Sequence, residues 1–366
     1  MRIGFDAKRA FHNRTGLGNY SRTLLWNLKK YFPEDEYILF SPGTKKNFPE
    51  LSANFEVVTP NSKNPLWRSF GIKKDIDTKN IDIFHGLSNE LPFGIDKLQI
   101  ASVVTIHDVI FESVPQDFSF FDRQVFRTKT VKCIRETDLI IAISQATKEA
   151  LINHYSVPES KIEVVYQPHD PIFDSSPLRQ EYQTELKKSL QLPDDFVLYV
   201  GSVMKRKNTM RLIHGWEQMN TDIPLLIFGG GNKFRKKVQN YIVDNNLTPK
   251  VQLRNPVSFN LLPGLYKMAS TVIYPSTIEG FGLPVLEALA CGAKVVTSEI
   301  SSMPEAGGAH CTYIDPFDTQ SIAHGLDESL NNFRHDRKGL SLHLERFNSK
   351  VLTEKVHNIY KNLPNF

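Results

Sequence analysis

Only three cysteines occur among 366 residues, and Cys133, Cys291 and Cys311 stand far apart with no metal-ligand spacing. Reduced thiols in a cytoplasm are the simplest reading. No apolar run approaches the roughly 20 residues needed to span a bilayer. The opening Met1-Arg2-Ile3-Gly4-Phe5 reads as a strand and is followed by Asp6, Lys8 and Arg9, so no secretory signal is expected. A net charge of +4 is too mild to call for nucleic acid. It permits loose peripheral contact with an anionic surface such as the inner membrane face. Repeats and low-complexity segments are missing too. What remains is a globular chain, 40% apolar and 23% charged, long enough for two cores.

Short apolar strands alternate with helical stretches from end to end, the pattern of parallel α/β sheets with crossover helices. In the first half the strands expected are Met1–Phe5, Glu36–Phe40, Ile81–Phe84, Ala101–Ile106, Leu139–Ile143 and Lys161–Tyr166. Between Pro168 and Asp195 the pattern breaks into a polar, proline-containing stretch with a lead-in helix over Arg179–Leu190. A second series runs through Phe196–Gly201, Pro224–Phe228, Val251–Leu253, Thr271–Tyr274, Lys294–Thr297 and Cys311–Ile314, and the tail from Thr319 to Leu363 is helical. Two Rossmann-like domains are expected, residues 1–170 and 195–345, joined by a connection over 171–194 and followed by a C-terminal helix over 346–366. In such a pair the ligand cleft lies at the C-terminal ends of the strands.

The most informative segment is Glu279-Gly280-Phe281-Gly282-Leu283-Pro284-Val285-Leu286-Glu287, continued by Ala288-Leu289-Ala290-Cys291-Gly292. It follows the apolar strand Thr271–Tyr274, passes a glycine turn and enters a helix with Pro284 in its first turn and Gly292 as its stop. The unpaired amides and positive dipole end of that helix suit a phosphate or diphosphate. Glu287, one turn inside the helix, is placed to reach hydroxyls beside the phosphate, and Glu279 precedes the loop. Two carboxylates around a phosphate cradle point to a sugar nucleotide.

Other segments carry chemistry. Gly201-Ser202-Val203-Met204-Lys205-Arg206-Lys207-Asn208 sets three cations at a strand end in the same domain, where they can neutralise a diphosphate leaving group. His107 ends the buried strand Ala101–Ile106, with Asp108 as a cap for the next segment. His85-Gly86 ends the preceding strand. Thr15-Gly16-Leu17-Gly18-Asn19-Tyr20 opens a helix whose Tyr20, Leu24 and Leu28 share a face, but it lacks the third glycine of a dinucleotide fingerprint, having Ser21 there. Asp75-Ile76-Asp77 spells the Asp-x-Asp of a metal-binding transferase loop, yet it follows Lys73-Lys74 in a polar helical stretch and reads as surface. Gly229-Gly230-Gly231 is expected at a tight turn.

Glu-x7-Glu within Pro-Ser-x-x-Glu-Gly-Phe-Gly-Leu-Pro-x-Leu-Glu-Ala-x-Ala-x-Gly resembles the signature of the retaining family 4 glycosyltransferases, which have a GT-B fold. That resemblance implies two Rossmann-like domains facing each other across a cleft, the first on the acceptor side and the second binding the nucleotide sugar, with the last helix returning to the first domain. Arg206-Lys207-Asn208 matches the family's cationic segment after Gly201, although some members carry an arginine where this chain has Ser202; Lys205 is then exposed. The resemblance places His107 and Glu279 at the transferred sugar, with Arg206 and Lys207 on the leaving diphosphate. Gly16, Gly18, Gly201, Gly280, Phe281, Gly282, Leu283 and Glu287 are then donor-binding. It puts the nucleotide base between the Gly229–Gly231 loop and Arg254-Asn255-Pro256-Val257. It implies a metal-independent reaction without cofactor, from a GDP- or UDP-linked sugar to a glycan or lipid-linked acceptor. In motif style the chain is similar to the mannosyltransferases that build bacterial surface polysaccharides. The alternatives are an inactive sugar-nucleotide-binding subunit and an epimerase of the same fold.

Overall fold

Strands of a parallel sheet covered on both faces need apolar residues throughout rather than in alternation, and every residue of Ile83–Gly86, Ala101–Ile106, Thr271–Tyr274 and Val295–Ser298 is buried. A computed structural model of the chain describes residues 1–44, 48–61, 64, 66–332 and 336–363. Its backbone divides into two compact units, Met1–Pro168 with Phe347–Phe366, and His169–Arg346. The segment 171–194, expected as a connection, clusters with the second unit, including the helix Gln180–Leu190.

The first unit holds β1 (Arg2–Asp6), β2 (Glu36–Phe40), β3 (Glu56–Val58), β4 (Ile83–Gly86), β5 (Ala101–Ile106), β6 (Leu139–Ala142) and β7 (Ile162–Val164). They pair in the order β3-β2-β1-β4-β5-β6-β7, all parallel. The chain winds from β1 to one edge, then returns to the other side of β1 as β4, which makes the β1/β4 boundary a topological switch point. Only β3 was not expected from sequence; Glu56-Val57-Val58 is three residues long at a sheet edge. The helix Ser349–Lys361 returns to this unit and buries Leu352, Val356, His357 and Tyr360. Three polar contacts hold it: Tyr360 Oη with His85 Nδ1 at 2.6 Å, His357 Nε2 with Asp35 at 2.7 Å, and Lys355 Nζ to the Val164 carbonyl at 2.7 Å.

The second unit holds β8 (Val197–Val200), β9 (Leu225–Phe228), β10 (Val251–Arg254), β11 (Thr271–Tyr274), β12 (Val295–Ser298) and β13 (Thr312–Ile314). The order is β10-β9-β8-β11-β12-β13, again all parallel. Its switch point lies between β8 and β11. The tail forms the helices Thr319–Asn331, Arg337–Glu345 and Ser349–Lys361; residues 364–366 of the expected last helix lie outside the described residues. Among the described residues no helix is long and apolar enough to cross a membrane. Asp75 and Asp77 sit on the helix Ile72–Thr78, where Asp75 accepts the Trp67 indole N–H at 2.6 Å and Asp77 is exposed.

Candidate active site

Two chain segments emerge side by side at the switch point of the second sheet, one after β8 and one after β11. After β8 and Gly201 comes the short 3-10 turn Lys205–Lys207. Thr277, beyond β11, donates its N–H to the Arg206 carbonyl at 2.8 Å and its hydroxyl to the same oxygen at 3.1 Å, fastening the two segments together. Across this seam Glu279 faces two cations. Its Oε1 pairs with Lys207 Nζ, and its Oε2 lies 3.2 Å from Arg206 Nη1, which also donates to the Ile278 carbonyl at 3.3 Å. Lys205 is exposed while Arg206 and Lys207 are half-buried, the division expected from sequence.

Glu279 is only 13% exposed. Burial presses its carboxyl upward, yet Lys207 and then Arg206 outweigh that, and the net direction is below the ordinary value. Its backbone is clamped as well. Ser301 Oγ accepts the Glu279 N–H at 3.1 Å and donates to the Glu279 carbonyl, which also receives the buried Ser302 hydroxyl, both at 3.0 Å. Sequence reasoning missed these serines, since two adjacent serines in a loop carry no signal of what they will meet.

The glycine loop then turns into the helix Leu283–Ala290. Gly282 has φ +107°, a conformation that side-chain-bearing residues avoid, and an added Cβ would sit 3.1 Å from the Met303 sulfur. Pro284 has no N–H, and the amides of Val285 and Leu286 both point back to the Gly282 carbonyl. Those two amides are therefore spent within the turn and not offered to an anion at this terminus. Phe281 is 3% exposed, so its side chain is buried in the protein.

Glu287 sits one turn inside the helix and is 7% exposed. Burial first, and the neighbouring carboxylate of Asp170 second, push its carboxyl up to about 8, against a hydrogen bond from Tyr266 that favours the ion. Tyr266 Oη in turn lies 2.9 Å from Tyr274 Oη, and burial holds both phenols well above their usual range. Neither Asp170 nor Tyr266 was singled out from sequence. Two carboxyls of one motif thus have opposite characters: Lys207 and Arg206 favour the ionised form of Glu279, while burial and Asp170 favour the neutral form of Glu287.

In the first unit His107 caps β5, 4% exposed. Its Nε2–H donates to the Leu87 carbonyl at 3.0 Å, and its Nδ1 accepts from Gln167 Nε2 at 3.0 Å. Its N–H reaches Asn89 Oδ1 at 2.7 Å, and the Tyr20 ring meets it edge-on at 4.8 Å. Burial lowers its pKa to about 4, despite the Leu87 carbonyl, so the ring is neutral. Both ring nitrogens are committed to the protein. His85, the weaker candidate, is a buried strut: Nδ1 meets Tyr360 Oη, and Nε2 meets Thr105 Oγ1 at 2.8 Å, which continues to Tyr20 Oη at 2.9 Å. Asp108 accepts the Ile110 N–H at 3.2 Å, although the N-cap position of the helix Ile110–Ser113 is held by Val109.

Gly16 opens the helix Gly16–Tyr31 in open space, with nothing within 4 Å of an added Cβ. Gly18 is different. A Cβ there would lie 1.9 Å from the Asn13 carbonyl oxygen, so its close approach is to this chain's own backbone. Gly201 donates its N–H to the Phe228 carbonyl at 3.0 Å, joining the ends of β8 and β9. Beside β10 a cavity of about 710 Å³ is lined by residues that include Gln191, Phe228, Arg254, Asn255 and Pro256. Arg254 there is tied to the carbonyls of Leu190 and Gln191.

Residues 15–172 match the model of "Glycosyltransferase Family 4" and residues 182–339 that of "Glycosyl transferases group 1". The chain is similar to O-antigen chain mannosyltransferase B of Escherichia coli, 27% identical over 295 residues, with 76% of this chain and 74% of that protein covered. It is also similar to O-antigen chain mannosyltransferase RfbU of Salmonella typhimurium, 28% identical over 218 residues, covering 60% of this chain and a little over half, 58%, of that protein. Among solved structures, a glycosyltransferase from Rickettsia africae superposes with a TM-score of 0.77 at 18% identity, covering 98% of this chain and 97% of the other, a likeness of fold. With two parallel Rossmann-like sheets, the Glu-x7-Glu loop at the second switch point and both halves matched by their family models, the chain belongs to the family 4-like glycosyltransferases of GT-B fold and resembles the bacterial mannosyltransferases among them.

Proposed function

We propose that this glycosyltransferase is a retaining, metal-independent hexosyltransferase that moves a mannose-like hexose from a GDP- or UDP-linked donor to a hydroxyl of a glycan or lipid-linked acceptor, in the synthesis of a surface polysaccharide. One observation carries the reading: Arg206, Lys207 and the N-terminus of the helix Leu283–Ala290 converge where β8 and β11 end, which suits a diphosphate. The names of the similar O-antigen enzymes favour mannose and a polysaccharide.

In this reading the acceptor oxygen forms a bond to the anomeric carbon as the bond to the diphosphate breaks, the electron pair leaving with the phosphate. The acceptor proton passes to a phosphate oxygen on the same face. Charge grows on the diphosphate, and Arg206, Lys207 and the loop 280–283 at the helix N-terminus stabilise it, so a metal ion is not required. Glu287 receives ribose hydroxyls. Glu279 holds the two cations in place and presents its carboxylate toward the sugar. His107, with both nitrogens given to Leu87 and Gln167, is a positioning residue that fixes the end of β5.

Calorimetric titration with UDP, GDP and ADP, then with their sugars, followed by transfer to candidate acceptors and assignment of the product anomer, tests this. One nucleoside diphosphate should bind, its sugar should turn over in excess chelator, and the anomeric configuration should be kept. An inverted product overturns the mechanism, and binding without turnover favours an inactive subunit.

A further inference from the structure

At the switch point of the first sheet β1, β4 and β5 end side by side, with Asp6 opposite Gly86 and Gly86 opposite Val104. The acids there are already committed. Asp6 Oδ2 takes Arg68 Nη2 at 2.6 Å and Arg68 Nε at 2.8 Å, and its other oxygen accepts the Lys8 N–H at 3.2 Å. Arg68 Nη1 pairs with Glu90, which also lies 3.4 Å from Lys129 Nζ. Four cations, Lys8, Arg9, Arg68 and Lys129, thus stand against two carboxylates. Lys8 and Arg9 are the pair left over: both are half-buried, and among the described residues neither side chain has a hydrogen bond or an ion pair.

Two orphaned polar atoms mark the place. Arg9 Nε is buried without a partner. Burial first, and the nearby charge of Arg9 in the same direction, hold the His107 ring neutral, so the guanidinium stands close to that ring. Ser88, two residues beyond β4, is 5% exposed, and its Oγ is likewise buried without a partner. Its neighbours on both sides serve His107, since the Leu87 carbonyl accepts the ring N–H and the Asn89 side chain accepts the backbone N–H. Burial, and then the charge of Arg68, lower the Lys8 ammonium from its ordinary value. A buried guanidinium N–H with no acceptor, crowded by like charge, is unfavourable by itself. An oxyanion supplies both the acceptor and the missing negative charge, and the planar guanidinium fork fits a phosphate or a carboxylate.

We propose that this end of the first sheet recognises an oxyanion carried by the acceptor, a phosphate ester or a sugar carboxylate, with Arg9 and Lys8 as its cations and the Ser88 hydroxyl as a further donor. The assignment rests on the transferase reading, in which the first unit takes the acceptor, but its test needs no turnover. The full chain, with saturating nucleoside diphosphate occupying the phosphate site of the second unit, is titrated with methyl phosphate, glucuronate and neutral methyl mannoside. Arginine Nε–H signals are followed by NMR, that of Arg9 being assigned through its loss in Arg9→Gln, and the His107 ring signal reads binding in the variants. One or both anions should move the Arg9 signal saturably while methyl mannoside leaves it in place, and the tighter anion names the group. Arg9→Gln should weaken that binding about tenfold or more, and Ser88→Ala about threefold or more. Melting temperature should hold in both, because neither orphaned atom bonds to the protein. An Arg9 signal that stays put up to about 50 mM of each anion, or equal binding by Arg9→Gln and the native chain, overturns the proposal. So does loss of anion binding in Lys207→Ala with Arg9→Gln unaffected, which puts the ion in the second unit. The two failures separate: absence of nucleoside diphosphate binding overturns the transferase reading, whereas the Arg9 signal reports the oxyanion with or without the nucleotide.

Discussion

Replacing Glu287 with Gln removes an ionisable group while keeping a partner for Tyr266, and the structure gives the change a definite pH signature. The folded-state pKa of about 8 lies above the ordinary 4.5. Between those values the native protein holds a proton that the unfolded chain has released, so the native form loses stability as pH rises. The penalty is absent below about pH 4.5, grows by about 1.4 kcal/mol per unit, and levels off above pH 8 at about 5 kcal/mol. Glu287→Gln should therefore match the native protein at pH 4.5 and be the more stable by several kcal/mol at pH 8. Urea titration followed through Trp216, the buried tryptophan of the second unit, measures this in a Trp26→Phe/Trp67→Phe background. The same carboxyl gives binding a signature. Ribose hydroxyls donating to it favour the ion, so nucleoside diphosphate binding at pH 7 should release about one proton per site. Calorimetry in two buffers of different ionisation enthalpy reads that release, which Glu287→Gln should abolish. Parallel stability profiles for the two proteins would refute the claim that Glu287 is desolvated and crowded by Asp170.

The remaining predictions concern the charged cluster and the first unit. Glu279→Gln should leave affinity for the bare nucleoside diphosphate equal or raise it by up to about fivefold, because it frees two cations, while transfer falls severely; equal loss of both would remove Glu279 from its dual role. Lys207→Ala should cost about 2 kcal/mol of stability by leaving half-buried Glu279 with Arg206 alone, and should lower turnover more than nucleoside affinity. Parallel losses for nucleoside and nucleoside diphosphate would contradict that. His107→Ala should cost about 3 kcal/mol, since the Leu87 carbonyl and the Gln167 amide lose their partner, with nucleotide affinity retained at low temperature; an unchanged melting temperature would show the ring is not the strut its hydrogen bonds describe. Activity should persist in excess chelator, and abolition with rescue by manganese or magnesium would sink the metal-independent mechanism.

A stable, neutral His107 and His85 also set a limit in acid. Burial depresses both, to about 4 and about 3. The unfolded chain takes up protons near pH 6.5 that the native first unit refuses, so stability is full above about pH 6.5 and is lost as pH falls from there toward 3.

Local pattern carried the architecture. Runs such as Val103-Val104-Thr105-Ile106 and Leu225–Phe228 are apolar on both faces because each lies inside a covered parallel sheet, and the alternation of strands and helices then demands crossover connections. The Glu279–Gly292 segment was legible for a related reason: strand, glycine turn, proline and helix stop are contiguous, so their geometry is set by neighbours in the chain. β3 escaped because three residues at a sheet edge owe their conformation to pairing with Ile38, Leu39 and Phe40 rather than to their own sequence. The electrostatics escaped for the same reason on a larger scale. That Glu279 meets Lys207 and Arg206 some 70 residues away, that Ser301 and Ser302 clamp its backbone, and that Asp170 crowds Glu287 follow only from where the β8 and β11 ends and their loops come to lie. Residue type sets what a carboxyl can do, but its charge at pH 7 depends on water and counter-ions that only folding brings or removes. The sequence alone therefore supplied two glutamates at the right spacing, and tertiary structure made one an ion and the other an acid.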